Sequence, residues 1–296
     1  VFVPAEAYDG LKPWERYRLR CAAYGYAYPR YVVAGRSAAA LWDMASGSVP
    51  EEVELGRRAG SGPVGASGVR NRKLPGEAPG REPVLHRGLW LTSPIMTTID
   101  LARWHSLVDA VGAADSGMRG KQFTLEDLEG AAGGYRGYRG RRHIEDLLTL
   151  AHPASESPRE SAMRVLLWQN GFPVPHLQAV ISSAAGRFIG RVDALFPQQS
   201  TILEYDGELK YSRAFGKDPE QTMREELERQ KALLNAGTRM VRVTAATFRD
   251  QSWMEDLRRE LKRGEGNPLP ENQWSSAGLG WGTRIEKTPV GGAFRI

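Results

Sequence analysis

The sequence predicts an α/β fold in which a central mixed sheet is flanked by helices and preceded by a mainly helical α+β region. Two observations lead to it. After residue 157 the chain runs in a legible order of helix, three strands, helix, strand and helix. Before that point, short capped helical pieces alternate with a few short strands, and a Pro- and Ser-rich break, Ala151-His-Pro-Ala-Ser-Glu-Ser-Pro158, separates the two patterns. The expected organisation is therefore 1–150 as the first domain, 151–263 as the second, and 264–296 as an irregular, Gly/Pro-rich, loosely attached tail.

Residues 1 to about 55 hold aromatic-rich helical pieces, the clearest being Arg36-Ser-Ala-Ala-Ala-Leu-Trp-Asp43, where Ser37 is placed to cap a short helix. Glu52-Val-Glu-Leu55 reads as a short strand ahead of Gly-, Pro- and Arg-rich loops. A helix then follows Thr92-Ser-Pro, with Thr92 or Ser93 as cap and Pro94 at its first position. A second helix covers about 105–118, and a third starts after Thr124, with Asp127 at capping-box spacing. Beyond the break, Ser157-Pro158 opens a helix that Gly171 stops. Strands follow near 177–181, 188–196 and 201–206, then a charged helix from Pro219 to Ala236, a strand 239–244, and a last helix 247–262.

Bulk composition narrows the function classes. Of 296 residues, 41% are hydrophobic and 25% charged, and no apolar run approaches the roughly 20 residues of a membrane helix. The first residues lack the order of a secretory signal. A lone Cys21 rules out an intrachain disulfide and a Cys-rich zinc site, so a cytoplasmic location is expected. The net charge of +5 is compatible with a nucleic-acid partner without requiring one.

Two adjacent strands carry the chemistry. Asp193 interrupts Gly190-Arg-Val-Asp193-Ala-Leu-Phe, and Glu204 and Asp206 share one face of Thr201-Ile-Leu-Glu204-Tyr-Asp206-Gly207 because side chains repeat with a period of two. If the strands pair as a hairpin, cross-strand neighbours lie about 5 Å apart. Buried carboxylates are costly unless they are paired, hydrogen-bonded or bound to metal, and hard oxygen donors suit Mg²⁺ or Mn²⁺. Glu160, near the start of the preceding helix, is placed to lean over the same edge, and Lys210 to steady an attacking water or a phosphate. The competing reading has Asp193 and Asp206 in turn or cap hydrogen bonds, with Glu204 facing water. On the charged helix, Glu226 or a neighbouring acid is placed either to complete a cation site or to pair with Arg229.

A second motif is Gly134-Tyr-Arg-Gly-Tyr-Arg-Gly-Arg-Arg-His143. Arg136, Arg139, Arg141 and Arg142 are candidates for phosphate contact, with the tyrosines available to stack on bases; the alternative is a solvated loop.

The residues Glu160-Ser161-x-x-Arg164, Arg191-Val-Asp193, Glu204-Tyr-Asp206-Gly207-x-x-Lys210-Tyr211, Glu226-x-x-Arg229 and Gly237-x-x-Met-Val-Arg242-Val-Thr244 together resemble the DUF559 branch of the PD-(D/E)XK nuclease superfamily, relatives of very-short-patch mismatch endonucleases. Thr92-Ser-Pro-x-x-Thr97-x-x-Asp100-Leu-Ala-Arg103 resembles part of the AbiEi-type, type IV antitoxin region that precedes this domain in actinobacterial members. The resemblance implies a restriction-endonuclease-like second domain and a first domain of AbiEi-like α+β character related to winged-helix folds. It further implies catalytic roles for Glu160, Asp193, Glu204, Asp206 and Lys210, with Asp193, Glu204 and Asp206 holding Mg²⁺ or Mn²⁺. Asp206 departs from the pattern by standing where the superfamily's lysine usually stands, and Gln230 and Lys231 replace acids common after Arg229.

Two functions follow as expectations. One is a Mg²⁺-dependent DNA endonuclease or nickase; the other is a DNA-binding regulator or antitoxin with an inactive nuclease-like domain. DNA is the expected partner of both. A homodimer suits a double-strand cut, and a cognate toxin is left open. Acids gathered on a cation distinguish the first reading, and acids engaged in salt bridges the second.

Overall fold

In the computed structural model the described residues are 4–45, 47, 49–57, 62–76, 82–135, 137–206 and 219–282. Arg136 and Lys210 lie outside them. The architecture is mixed α/β, and the chain divides into two compact units, Val1–Val165 and Leu166–Ile296. Among the described residues no helix is long and apolar enough to cross a membrane.

The first unit opens with α1 (Ala5–Asp9) and α2 (Pro13–Ala27). Then come β1 (Val32–Val33), α3 (Gly35–Leu41), β2 (Val53–Arg57), β3 (Val69–Lys73), β4 (Val84–His86) and β5 (Leu89–Leu91). These strands form a sheet of order β3-β2-β1-β5-β4. Tyr17 and Cys21 of α2 and Ala38 of α3 pack with Val33, Leu55 and Leu91 to make its core. Ser37 is not a cap. Ala34 takes that position, and the buried Ser37 hydroxyl shares a 2.7 Å bond with the Tyr17 hydroxyl and accepts from the Glu54 N–H at 2.8 Å.

A helical layer follows: α4 (Pro94–Trp104), α5 (Leu107–Arg119), α6 (Leu125–Ala132) and α7 (Arg141–Leu150). Ser93 caps α4, Ser106 caps α5, and Thr124 with Asp127 forms the capping box of α6. The next helix, α8 (Pro158–Gln169), contains the division between the units, downstream of the Pro/Ser-rich connection where the sequence pattern suggested a limit. The physical reason is a buried ion pair. Arg164 Nη2 lies 2.6 Å from Asp115 Oδ2 on α5, and both side chains are almost wholly buried. Ser161 Oγ donates to the same oxygen at 2.5 Å, the His152 N–H donates to Asp115 Oδ1 at 2.8 Å, and Arg164 Nη1 donates to Ser155 Oγ at 2.7 Å. The connection and the start of α8 are thus tied to α5.

The second unit contains β6 (His176–Ser182), β7 (Phe188–Phe196), β8 (Thr201–Tyr205), α9 (Pro219–Asn235), β9 (Arg239–Val243), α10 (Ala245–Asp250) and α11 (Trp253–Gly264). Two helices replace the single one expected over 247–262, because Gln251 adopts φ +61° between them. Strands β6, β7 and β8 are successive antiparallel neighbours, whereas β8 and β9 are parallel, as the intervening α9 allows. Ile181, Val192, Leu195 and Ile202 meet Leu233 of α9 in the core.

The segment after 264 is not loosely attached over its described part. Leu269 is buried in the same core, and β10 (Trp274–Ser275) and β11 (Gly278–Leu279) both pair antiparallel with β6. Backbone hydrogen bonding at a sheet edge, which needs no apolar periodicity, explains why composition concealed it.

Replacing Arg164 by Met should leave Asp115 buried without its cation and destabilise the first unit by about 3–5 kcal/mol, with recovery when Asp115 is also made apolar. Urea titration of the single and double variants measures both effects. Equal midpoints for the parent and Arg164→Met would deny the pair this role.

Candidate functional site

The sheet of the second unit sets a row of polar residues across four strands. The β8–β9 register places Glu204 opposite Arg242. The β7–β8 ladder pairs Ala194 with Leu203, and one further step sets Asp193 opposite Glu204. On the other side, the pairs Leu177–Ala194 and Ala179–Val192 bracket Gln178 opposite Asp193. Asp193 Oδ2 accepts from the Tyr205 N–H at 2.8 Å, so the side chain continues the hydrogen bonding beyond the regular ladder.

Glu204 is 3% exposed and must be compensated. Arg229, reaching from α9, donates Nη1 to Glu204 Oε1 at 3.0 Å and Nη2 to Oε2 at 3.1 Å, a two-pronged pair. The same guanidinium donates Nε and Nη2 to the two Glu226 oxygens, each at 2.8 Å. Arg242 Nη2 reaches Glu226 Oε1 at 2.6 Å, Gln230 Nε2 reaches that oxygen at 2.8 Å, and Arg242 Nη1 stands 3.5 Å from Asp206 Oδ2. Partial burial alone would raise the Glu226 carboxyl, but hydrogen bonds from Arg229 and Gln230 and the charges of Arg229 and Arg242 bring it down to about 2. Arg229 is correspondingly held protonated, chiefly by its hydrogen bonds to Glu226.

Asp193, Glu204, Asp206, Glu226 and Arg229 therefore belong to one cluster, with Arg242 at its centre. Glu160 belongs to the first unit, where its Oε2 accepts from the Glu156 N–H at 2.8 Å. Among the described residues, no group of three or more His, Cys, Asp or Glu side chains is arranged to hold a metal ion. Two participants escaped the sequence reading. Arg242 has no local signal of its own, and it is the parallel β8–β9 pairing that sets it beside Glu204. Gln178 adopts φ +47° inside a strand, a backbone state with no sequence signal at a non-glycine residue.

The Arg/Tyr segment belongs to the first unit and differs from its expected form. Tyr135 is buried and Tyr138 half-buried, and both rings lie against Arg103, 5.3 and 5.0 Å from its guanidinium carbon. They serve as packing for a cation, not as free stacking surfaces. Arg103 also donates to Asp100 at 2.6 Å, and Gly140 passes so close that an added Cβ would lie 2.9 Å from the Arg103 Cα. With φ +89°, Gly140 meets both demands and starts α7. Arg139, Arg141 and Arg142 are exposed around this point, and Arg141 pairs with Glu145 at 3.0 Å. Arg139 and Arg142 enter no ion pair among the described residues.

Another buried ionic group lies in the first unit. Glu54 accepts from the Arg36 N–H at 2.6 Å and from His105 Nε2 at 2.9 Å, and pairs with Arg72. Burial pushes its carboxyl up, yet His105, Arg72 and the backbone donor outweigh that and hold it below the usual range.

No family model and no solved structure matches the chain. Two Mycobacterium tuberculosis proteins, each named only as an uncharacterized protein, are 27% identical to it over 119 residues. That region is 40% of this chain and 44% of each relative, so the chain spans less than half the length of the curated relatives it matches.

Because Glu226 titrates lower in the folded state than its ordinary 4.5, its contribution to stability is complete above that value and is lost as pH falls toward about 2. Glu226→Gln should flatten the loss of stability across this acid window. Urea unfolding at stepped pH reads the effect, and a pH dependence identical to the parent's would contradict it.

Proposed function

We propose that the protein is a DNA-binding regulator of the antitoxin kind, whose second unit follows a PD-(D/E)XK nuclease-like plan with its carboxylates neutralised by arginines. The observation that carries this reading is the two-pronged hold of Arg229 on Glu204, continued through Glu226 to Arg242. A Mg²⁺ or Mn²⁺ ion needs carboxylate oxygens free to coordinate it. Both Glu204 oxygens and both Glu226 oxygens instead accept guanidinium N–H groups. In this arrangement Glu204 and Glu226 offer no free oxygen pair to a divalent cation.

DNA affinity is assigned to the basic surface, where exposed Arg139 and Arg142 flank the start of α7 and the chain carries a net charge of +5. A cognate toxin and a homodimer belong to the same proposal. The residues resembling DUF559 and AbiEi proteins support it as a family assignment.

One observation favours a second reading, a Mg²⁺-dependent DNA endonuclease or nickase. Asp193 and Glu204 face each other across adjacent strands, beside a strained Gln178. That reading requires Arg229 to release Glu204.

Binding and cleavage separate the two. The protein should bind duplex DNA and leave supercoiled plasmid intact with either cation. Replacing Arg139 and Arg142 together should weaken binding and lower the log–log salt slope by about 2, close to one unit per phosphate contact. Absence of DNA binding at low salt would remove the regulatory reading. Cleavage that disappears in both Asp193→Asn and Glu204→Gln would establish the nuclease instead.

A further inference from the structure

Beside the Arg229 cluster, the second unit has an open groove of about 760 Å³ between α9 and the turn joining β6 to β7. Its volume falls in the range of small-ligand sites. Phe188 stands on its rim at 69% exposure, the highest value among the exposed large hydrophobic side chains of the described residues. The turn that leads into Phe188 is closed by backbone hydrogen bonds. Ser183 N–H donates to Arg187 O at 2.8 Å, Gly186 N–H donates to Ser183 O at 2.8 Å, and Gly186 takes φ +75°. Arg187 lies next to Phe188, and Asn235, Gln273 and Glu228 add amide and carboxylate groups to the lining.

This set matches one ligand chemistry. An exposed aromatic ring offers a face on which a flat base can stack. A carboxylate accepts from an exocyclic amine, as acidic side chains do from the cytosine amino group, and an amide presents the paired donor and acceptor that reads adenine. The Arg187 guanidinium supplies countercharge for the attached phosphate, since that of Arg229 is engaged by Glu204 and Glu226. Gly190 contributes by omission: a Cβ there would come within 3.3 Å of the Arg229 side chain, so glycine lets that arginine lie flat along β7.

We infer that this groove is a nucleobase subsite for adenine or cytosine, with Phe188 as the stacking platform and the Glu228 carboxylate accepting from the exocyclic amine. The inference rests on the proposed nucleic-acid function and adds a base preference to it. Strand DNA and a free nucleotide share the required chemistry, and the strand is expected to bind more tightly because it also reaches basic residues elsewhere.

The test measures binding of fluorescent single-stranded homopolymers of adenine, cytosine and thymine, and of free deoxyadenosine monophosphate, over a range of salt. The parent should favour adenine and cytosine over thymine. Phe188→Ala should weaken adenine-strand binding roughly tenfold without changing the salt slope, because stacking releases no counterions. Phe188→Tyr should restore it, and Glu228→Gln should narrow the preference over thymine. Circular dichroism checks that each variant remains folded. Mononucleotide binding equal to that of the strand, with the same Phe188 dependence, would support the subsite and identify a free nucleotide as its ligand. If the parent binds strands but Phe188→Ala binds them equally well, the subsite is wrong and the nucleic-acid function stands. If the parent binds no strand and no duplex at low salt, that function falls too.

Discussion

Glu204 sits on an interior strand of the sheet at 3% exposure, and an isolated carboxylate there would be strongly unfavourable. The organisation of the second unit follows from how that charge is answered. Arg229 is positioned by α9, and α9 is also the crossover that permits β8 and β9 to run parallel. The helix that closes the sheet therefore supplies its countercharge. Glu226, on the same helical face as Arg229, offsets the guanidinium's charge and links it to Arg242 on β9. A buried ionic network of this kind adds less to net stability than to the choice of one arrangement, because breaking any member leaves another without a partner.

The same network makes the second unit chemically ambiguous in an instructive way. Opposed carboxylates on adjacent strands suit cation binding, while arginines aimed at those oxygens supply the positive charge without an ion. Both arrangements satisfy the same electrostatic demand. Gln178 introduces a different feature, since φ +47° is disfavoured for a side chain of this size and survives only where surrounding strands enforce it.

The first unit applies the same logic to its cations. Arg103 is held between Asp100 and the rings of Tyr135 and Tyr138, and Arg164 is buried against Asp115. The tyrosines looked like surface stacking groups because their neighbours in sequence are glycine and arginine. A cation distant in sequence draws Tyr135 into the interior and half-buries Tyr138. The exposed arginines of that segment are consequently presented from a packed base and not from a free loop.

By itself the sequence determined the local elements: the caps at Thr124 and at Thr92 or Ser93, of which Ser93 is the one used, the paired strands around Asp193 and Glu204, and the crossover helix between β8 and β9. Such features depend on residues within a few positions of one another, through capping hydrogen bonds, side-chain alternation and turn chemistry. It also brought Glu160, Asp193, Glu204, Asp206, Lys210, Glu226 and Arg229 forward as candidates for one site; Glu160 belongs to the first unit and Lys210 lies outside the described residues. Only the tertiary structure decided that Arg229 grips Glu204, that Arg242 completes the network, and that Gln178 stands opposite Asp193. It alone attached Leu269 and Trp274 to the sheet and tied Arg164 to Asp115. Those outcomes arise from desolvating charges that lie far apart along the chain, and a charge acquires its partner only when folding removes the water around both.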